Sequence, residues 1–355
     1  MTSVLLVGNF LSGSVGTRGV CEELAERLRG AGWGVLTTSA KAGKVARLGD
    51  MVGTVWRRRK EYAAAQVDVY SGAAFFWAET VAFALRRAGK PYVLTLHGGA
   101  LQEFAEKWPE RVRRLLGSAA VVTAPSGFLV EGMRQYRRDL RLIPNAIEVS
   151  RYRFRARDEV KPRLVWLRAF HAIYDPALAV RAFALVRERF PEATLTMIGP
   201  DKGDGSFEKT QAVARELGVP VEFQGRVPKA EIAKWIDGGE IFLNTTTIDN
   251  TPVTVVEAMA CGACVVSTNV GGIPHLVEDE VDGLLVESGR PAEMAAAVGR
   301  LLTDRELAAR ISRAGRAKAE SFDWAAVLPQ WTGLLQTIAK ERPVSAVLPV
   351  GQTIR

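Results

Sequence analysis

The sequence predicts an α/β protein built from two Rossmann-like blocks, each a parallel sheet covered by helices on both faces. Three observations predict it. Short apolar runs alternate with amphipathic stretches of helical period, as βα units do. The pattern is interrupted by an arginine-rich polar stretch ending near Lys161 and then restarts. The length of 355 residues accommodates about two domains.

In chain order, SVLLVG is a buried-type strand, followed by a glycine-rich turn, NFLSGSVGT. RGVCEELAERLRGAG is helical, with Val20, Leu24 and Leu28 at i, i+4 spacing and Gly32 as its stop. SGAAFFWAETVAFALRR reads as a buried helix, and its Glu79 and Thr80 argue against a membrane span. YVLTLHGG and AAVVTAPS are further strands ending in turn residues, and LRLIPNAIE leads into the linker. The second block opens with the strand RLVWLR. DPALAVRAFALVRERF is a helix with Asp175 as cap and Pro176 in its first turn. ATLTMIGP, VPVEFQG and EIFLNTT are strands, and a last helix carries Trp324, Leu328, Trp331 and Leu335 near one face. The expected division is a first domain at 1–155, completed by a C-terminal helix at 322–340, a second domain at 160–321, and a loose tail at 341–355.

Composition narrows the function classes. A chain 48% hydrophobic and 24% charged is that of an ordinary globular enzyme. No secretory leader is recognisable, and three cysteines do not make a disulfide framework, so a cytoplasmic location is expected. The net charge of +8 is uneven: up to Val160 there are about 25 Lys+Arg against 15 Asp+Glu. WRRRK, RVRR, RQYRRDLR and RYRFRAR carry much of it. With no nucleic-acid-binding signature alongside, this predicts peripheral contact of the first half with an anionic membrane.

The most informative stretch is IDNTPVTVVEAMACGACVVSTNVGG, Ile248 to Gly272. It reads as strand end, loop, helix, strand, with Pro252 at the helix start and Gly262 ending it. In parallel sheets ligands meet the carboxyl ends of strands, and the head of a helix offers free N–H groups to a phosphate. Asp249 lies in the loop, and Glu257 lies five residues beyond Pro252, about 7.5 Å along the helix axis. Two carboxylates flanking a phosphate site suit a ligand with hydroxyl-bearing groups on either side of a diphosphate. A nucleotide sugar has that layout. By spacing alone, Glu257 could equally be a surface residue paired with a base, and Asp249 a helix cap. Cys261 and Cys264 sit in an apolar context with no neighbouring histidine and read as small core residues.

DNTPVTVVEAMACGACVVSTNVGGIPHLVEDEVDGLLV also resembles the signature of the retaining glycosyltransferases of family 4, which have the GT-B fold. Asp249 stands where that signature has its first glutamate. SGSVGTRGVCEELAERL, LTLHGG, APSGFLV, LRLIPNAIEVSRY, LVWLRAF, VEFQGRVPKAEIAKWI and SFDWAAVLPQW match other family segments in order, as far as about Ala339. The resemblance implies two Rossmann-like domains facing a cleft and transfer of a sugar from a nucleotide-diphosphate sugar to a lipid-linked or saccharide acceptor, with retention. It implies Glu257 on the ribose hydroxyls, Asp249 on the donor sugar, and the backbone of Asn250, Thr251 and Val253 on sugar and phosphate. Arg168 would neutralise the diphosphate, His97 would touch the sugar on the acceptor side, and Gly16 would admit the phosphates. No metal or resident cofactor is implied, because Arg168 and the helix dipole supply the positive charge.

The chain departs from the family at Val15, Ala146 and Pro252, which replace two glycines and remove an N–H. The family's second basic donor residue is missing. Ile173 and Tyr174 stand there, with His171 nearby as a donor-site substitute. That absence raises a competing reading, a nucleotide-sugar-binding subunit without catalysis. A nucleotide-sugar epimerase of the same fold is a further alternative. VGNFLSGSVG is not a clean dinucleotide fingerprint.

Overall fold

The computed structural model describes residues 2–11 and 19–340. The chain forms two compact units. The first comprises residues 1–124, 132–143 and the chain from 328; the second comprises 125–131 and 144–327.

Unit 1 holds six strands: β1 (Ser3–Val7), β2 (Gly34–Thr38), β3 (Ala64–Val69), β4 (Tyr92–Leu96), β5 (Val121–Ala124) and β6 (Arg141–Leu142). Their order is β2-β1-β3-β4-β5-β6, and every pairing is parallel. Helices on both faces bury the central strands, so Val4 through Val7 and Tyr92 through Leu96 read as apolar runs rather than as alternation. The helix Ala73–Arg87 buries Phe75, Ala78, Val81, Ala82 and Leu85 against β3 and its neighbours. It is not buried all round: Phe76 and Phe83, seven residues apart on one stripe, are 54% and 56% exposed.

Unit 2 repeats the architecture with β7 (Arg163–Leu167), β8 (Thr194–Ile198), β9 (Val221–Gly225), β10 (Ile241–Asn244), β11 (Cys264–Thr268) and β12 (Leu284–Val286). The order is β12-β11-β10-β7-β8-β9, again all parallel. Strand alternation divides the core into two layers. Leu164, Trp166, Ile241, Leu243, Cys264 and Val266 point into one. Val165, Leu167, Phe242 and Val265 point into the other, where they meet Val255, Val256 and Met259 of the helix Val253–Ala260. Trp166 is fully buried, with its indole N–H on Thr245 Oγ1 at 2.8 Å. The Asp175–Pro176 start forms as the sequence predicts: Asp175 accepts from Leu178 N–H at 3.3 Å, and the helix runs Pro176–Arg189.

The arginine-rich stretch is not a free linker. The division between units falls after Ile143, and the residues that follow belong to unit 2. Arg157 is fully buried, donating to the Cys261 carbonyl at 2.9 Å and the Gly239 carbonyl at 3.0 Å. Arg155 reaches Glu240 at 3.0 Å and Asp237 at 3.2 Å. These two arginines satisfy buried carboxylates and strand-end carbonyls, which would otherwise be left unpaired. Arg157 therefore adds nothing to a basic outer surface, and the half-exposed Arg155 has its charge paired.

Candidate functional site

In an open parallel sheet, the crevice for a ligand opens where the strand order reverses, beyond the strands' carboxyl ends. In unit 2 that reversal lies between β7, whose chain continues to β8 and β9, and β10, whose chain continues to β11 and β12. Arg168 is the first residue after β7, and the loop to Asp249 leaves β10. Arg168 and Asp249 therefore converge at the switch point of this sheet.

Arg168 and Asp249 form an ion pair through Nη2 and Oδ2, each side chain 14% exposed. Asp249 Oδ1 accepts from the backbone N–H of Asn250 at 2.8 Å. Burial raises the Asp249 carboxyl above its ordinary range, against the opposing pull of Arg168 and the Asn250 N–H. The Arg168 guanidinium lies 4.2 Å from the centre of the Tyr174 ring. Tyr174 is held there because its turn is tied to the strand end: Thr247 N–H donates to the Ile173 carbonyl at 2.8 Å, and Thr245 Oγ1 donates to that of Tyr174 at 2.6 Å. An aromatic ring thus covers the arginine from the position where the family has a lysine.

Gly271 and Gly272 hold the Asp249 loop from beneath. A Cβ at Gly271 would collide with the Asp249 carbonyl, and one at Gly272 with the Asn250 carbonyl. The bare backbone instead lets Gly272 N–H donate to the Asp249 carbonyl at 2.8 Å. On the side of Asn250, Oδ1 accepts from the Ser126 hydroxyl.

The loop feeds the helix Val253–Ala260, whose N-cap is Pro252 and whose head has no side-chain cap. Thr251 Oγ1, Thr254 Oγ1 and Arg168 Nε are buried there without a hydrogen-bond partner among the described residues. Buried polar atoms are rarely left unpaired, because each costs roughly 1–3 kcal/mol. An acceptor-rich ligand at this helix head would give such groups partners, and the dipole end would favour its negative charge. Farther along the helix, Glu257 is 4% exposed and accepts from the Tyr152 hydroxyl at 2.6 Å. It is therefore not a surface residue paired with a base. Burial, and then the Glu257 charge, push the Tyr152 phenol well above its usual value, so it stays a donor.

The structure separates the other predicted residues. His171 caps its own turn, its Nδ1 accepting from Ile173 N–H at 3.2 Å, and its Nε2 lies 3.8 Å from Asp204. Among the described contacts it reaches neither Asp249 nor Glu257. His97 belongs to unit 1, beyond β4, where it pairs with Asp68. Gly16 lies outside the described residues. Cys261 and Cys264 are buried core residues whose thiols burial pushes up to about 12.

Sequence reasoning missed Tyr152, Tyr174 as a ring over Arg168, and the hydroxyl of Thr254. Tyr152 lies 105 residues from Glu257, and no local pattern links them.

Comparison with known proteins bears on the same segments. A model described as glycosyltransferase family 4 matches residues 15–151, and one described as glycosyl transferases group 1 matches residues 153–318. The chain belongs to the family 4 glycosyltransferases. Their GT-B fold of two parallel-sheet domains is the fold seen here. Among curated relatives, a D-inositol 3-phosphate glycosyltransferase of Acidothermus cellulolyticus is 27% identical over 296 residues, 74% of this chain and 65% of the relative. One of Segniliparus rotundus is 28% identical over 266 residues, 68% of this chain and 59% of the relative. The match thus spans somewhat less than two thirds of these relatives' length. Anabaena HepE, solved with UDP and glucose, superposes with a TM-score of 0.72 at 19% identity, over 95% of this chain and all of the other. Sucrose-phosphate synthase of Thermosynechococcus elongatus gives 0.77 at 18% identity, over 95% and 99%. At these identities the structural likeness concerns the fold.

Proposed function

We propose that this glycosyltransferase moves a sugar from a nucleotide-diphosphate sugar to an acceptor hydroxyl, with retention of anomeric configuration. The observation that carries the reading is the set of unpartnered buried groups at the head of the helix Val253–Ala260, between the Arg168–Asp249 pair and Glu257. A diphosphate would supply acceptors to Thr251, Thr254, Arg168 Nε and the N–H groups of Thr251 and Val253. Glu257, which accepts from Tyr152, would hold the ribose hydroxyls. Asp249 would take hydroxyls of the transferred sugar. As the bond to the anomeric carbon breaks, negative charge grows on the leaving diphosphate, and Arg168 is the fixed cation that meets it. The helix head and Arg168 together supply positive charge by themselves, so no metal is invoked. His97 in unit 1 is assigned to the donor sugar on the acceptor side.

The acceptor is assigned to a lipid-linked or cell-envelope saccharide, reached by an enzyme resting on the cytoplasmic face of an anionic membrane. Unit 1 carries 24 Lys+Arg against 12 Asp+Glu, about +12, and unit 2 is about −4. The open stripe of Phe76 and Phe83, with Arg87 beside Phe83, joins apolar and basic contact on one helix. No described helix is long and apolar enough to cross a membrane.

A second reading is favoured by Tyr174. It lies over Arg168 where a second cation would otherwise help neutralise the diphosphate, which fits a subunit that binds the donor without transferring it. The test is a screen of UDP-, GDP- and ADP-sugars by thermal shift and nucleoside-diphosphate release, with and without membrane lipid extract, and with Glu257→Ala alongside. Transfer requires stabilisation by one donor, its loss in the variant, and lipid-dependent release. Stabilisation without release under any acceptor supports the binding subunit. No stabilisation by any donor removes the nucleotide-sugar reading.

A further inference from the structure

Unit 1 has a switch point of its own, and a buried polar cluster sits at it. The strand order reverses between β1 and β3. Asp68, one residue from the end of β3, is buried there with its side chain 3% exposed. Its Oδ1 accepts from Gln66 Nε2 at 2.8 Å and lies 3.0 Å from His97 Nε2. Gln66 also donates to Thr95 Oγ1 at 2.9 Å, and Thr123 Oγ1 lies 3.1 Å from the same hydroxyl. The other carboxylate oxygen faces Gly8, just beyond β1, where an added Cβ would stand 2.5 Å from Oδ2. The Tyr70 ring stacks on His97 at 4.9 Å and 19°.

This arrangement constrains the imidazole in every respect that matters to proton transfer or hydrogen bonding. A carboxylate only accepts, so the ring nitrogen facing it, Nε2, carries the proton. When the ring is neutral, Nδ1 is then the lone-pair nitrogen, and no described residue donates to it. Tyr70 sets the ring plane. Holding a buried carboxylate for this purpose requires the Gln66 donor and the missing side chain at Gly8. A histidine that merely capped the end of β4 would need none of them.

We propose that Asp68 is a positioning residue for His97, holding it as the Nε2–H tautomer so that Nδ1 accepts a hydrogen bond from a sugar hydroxyl. This rests on the assignment of His97 to the donor sugar. Asp68 does not touch substrate and acts only through the ring.

The test compares Asp68→Ala, Asp68→Asn, His97→Ala and the Asp68→Ala/His97→Ala double variant, reading kcat, donor KM and the ring-nitrogen NMR signals of His97. The chain has three histidines, so those signals can be assigned by single substitution. The wild type shows protonation at Nε2, and Asp68→Ala gives a tautomer mixture. Its kcat falls about 10–100-fold, the range lost when a ligand-orienting outer partner is removed, while donor KM changes less than about threefold. In the His97→Ala background the same change adds less than about twofold, because the path through the ring is already gone. Asp68→Asn keeps the shape and removes the charge, so it stands in if the alanine variant does not fold, and it too must shift the His97 signals. Unchanged tautomer populations, or an Asp68→Ala loss as large without His97 as with it, overturn the proposal. Should the wild type turn over no donor, the transfer reading fails by itself, while the NMR comparison still decides whether Asp68 sets the ring.

Discussion

The two units share a plan of six parallel strands with one reversal of order, yet they finish their switch points in opposite ways. In unit 2 the groups at the crevice are left incomplete: among the described residues, Thr251, Thr254 and Arg168 each keep a buried polar atom without a partner. In unit 1 most of the corresponding groups engage one another, Asp68 with Gln66 and His97, and Thr95 with Gln66 and Thr123, and Gln66 Oε1 alone of this cluster has no partner among the described residues. The difference is informative about ligands. A site left short of acceptors is made for a ligand that brings its own, such as a diphosphate. A site whose polar groups mostly engage one another is suited to orienting a single side chain, the role proposed for Asp68. The charge contrast, about +12 against −4, runs alongside.

The strongest way to break this comparison is Arg168→Ala. Loss of the cation at the leaving group is expected to lower kcat about 10²–10³-fold, as removal of a preorganised charge stabiliser does. An unchanged kcat in steady-state assays would place the transferring charge elsewhere. Glu257→Ala is next. Losing hydrogen bonds to a charged acceptor should raise donor KM about 10–100-fold with a smaller effect on kcat. Tyr152→Phe, which keeps the carboxylate, should do much less.

Replacing Phe83 and Arg87 by serine should weaken sedimentation with anionic vesicles by about tenfold or more, since a basic contact contributes about 1 kcal/mol and a buried aromatic more. Solution turnover on a soluble acceptor should be unaltered. Equal binding by both proteins, or equal binding to neutral vesicles, would remove unit 1 from the membrane.

A pH profile sharpens the contrast at Asp249. Its carboxyl is raised in the native state and must be ionised to accept sugar hydroxyls. The acid limb of kcat/KM for the donor therefore lies above the ordinary aspartate range, and Asp249→Asn should abolish that limb. The sign for stability runs the other way. What Asp249 contributes to folding is fully present below the unfolded pKa and is lost as pH rises through the native one, so at neutral pH the site carries a folding cost for its function. The smallest effect expected is from Thr251→Val or Thr254→Val. Each removes an unpaired buried hydroxyl at constant shape, so the free protein should melt slightly higher, by about 1 kcal/mol, while donor affinity falls.

Much of this was legible in the sequence because it follows from local rules. Apolar runs at strand length, Asp175–Pro176 at a helix start and Gly262 at a helix end are each decided within a few residues. Asp249 and Glu257 were also legible, since both lie on one loop-and-helix segment. What escaped depends on packing across long separations. Tyr152 meets Glu257 only when the start of the 144–327 segment packs against the rest of unit 2, and the same packing turns Arg157 from apparent surface charge into a buried brace and pairs the half-exposed Arg155 with Glu240. The exposure of Phe76 and Phe83 escaped for the converse reason. A nearly all-apolar helix gives no sign of which stripe its neighbours leave open. Asp68 carries no local signal in the sequence, because its partner His97 is brought to it only by the pairing of β3 with β4.

The two glycines beneath the Asp249 loop have a consequence for how this enzyme could change. They grip carbonyl groups, which every amino acid possesses, and nothing in that grip reads a side chain. The backbone at Asp249 and Asn250 is thus seated independently of side-chain identity, whereas the Asp249 and Asn250 side chains add contacts of their own to Arg168 and Ser126. New sugars can be tried by rewriting those few residues, while Gly271 and Gly272 stay invariant under any such redesign.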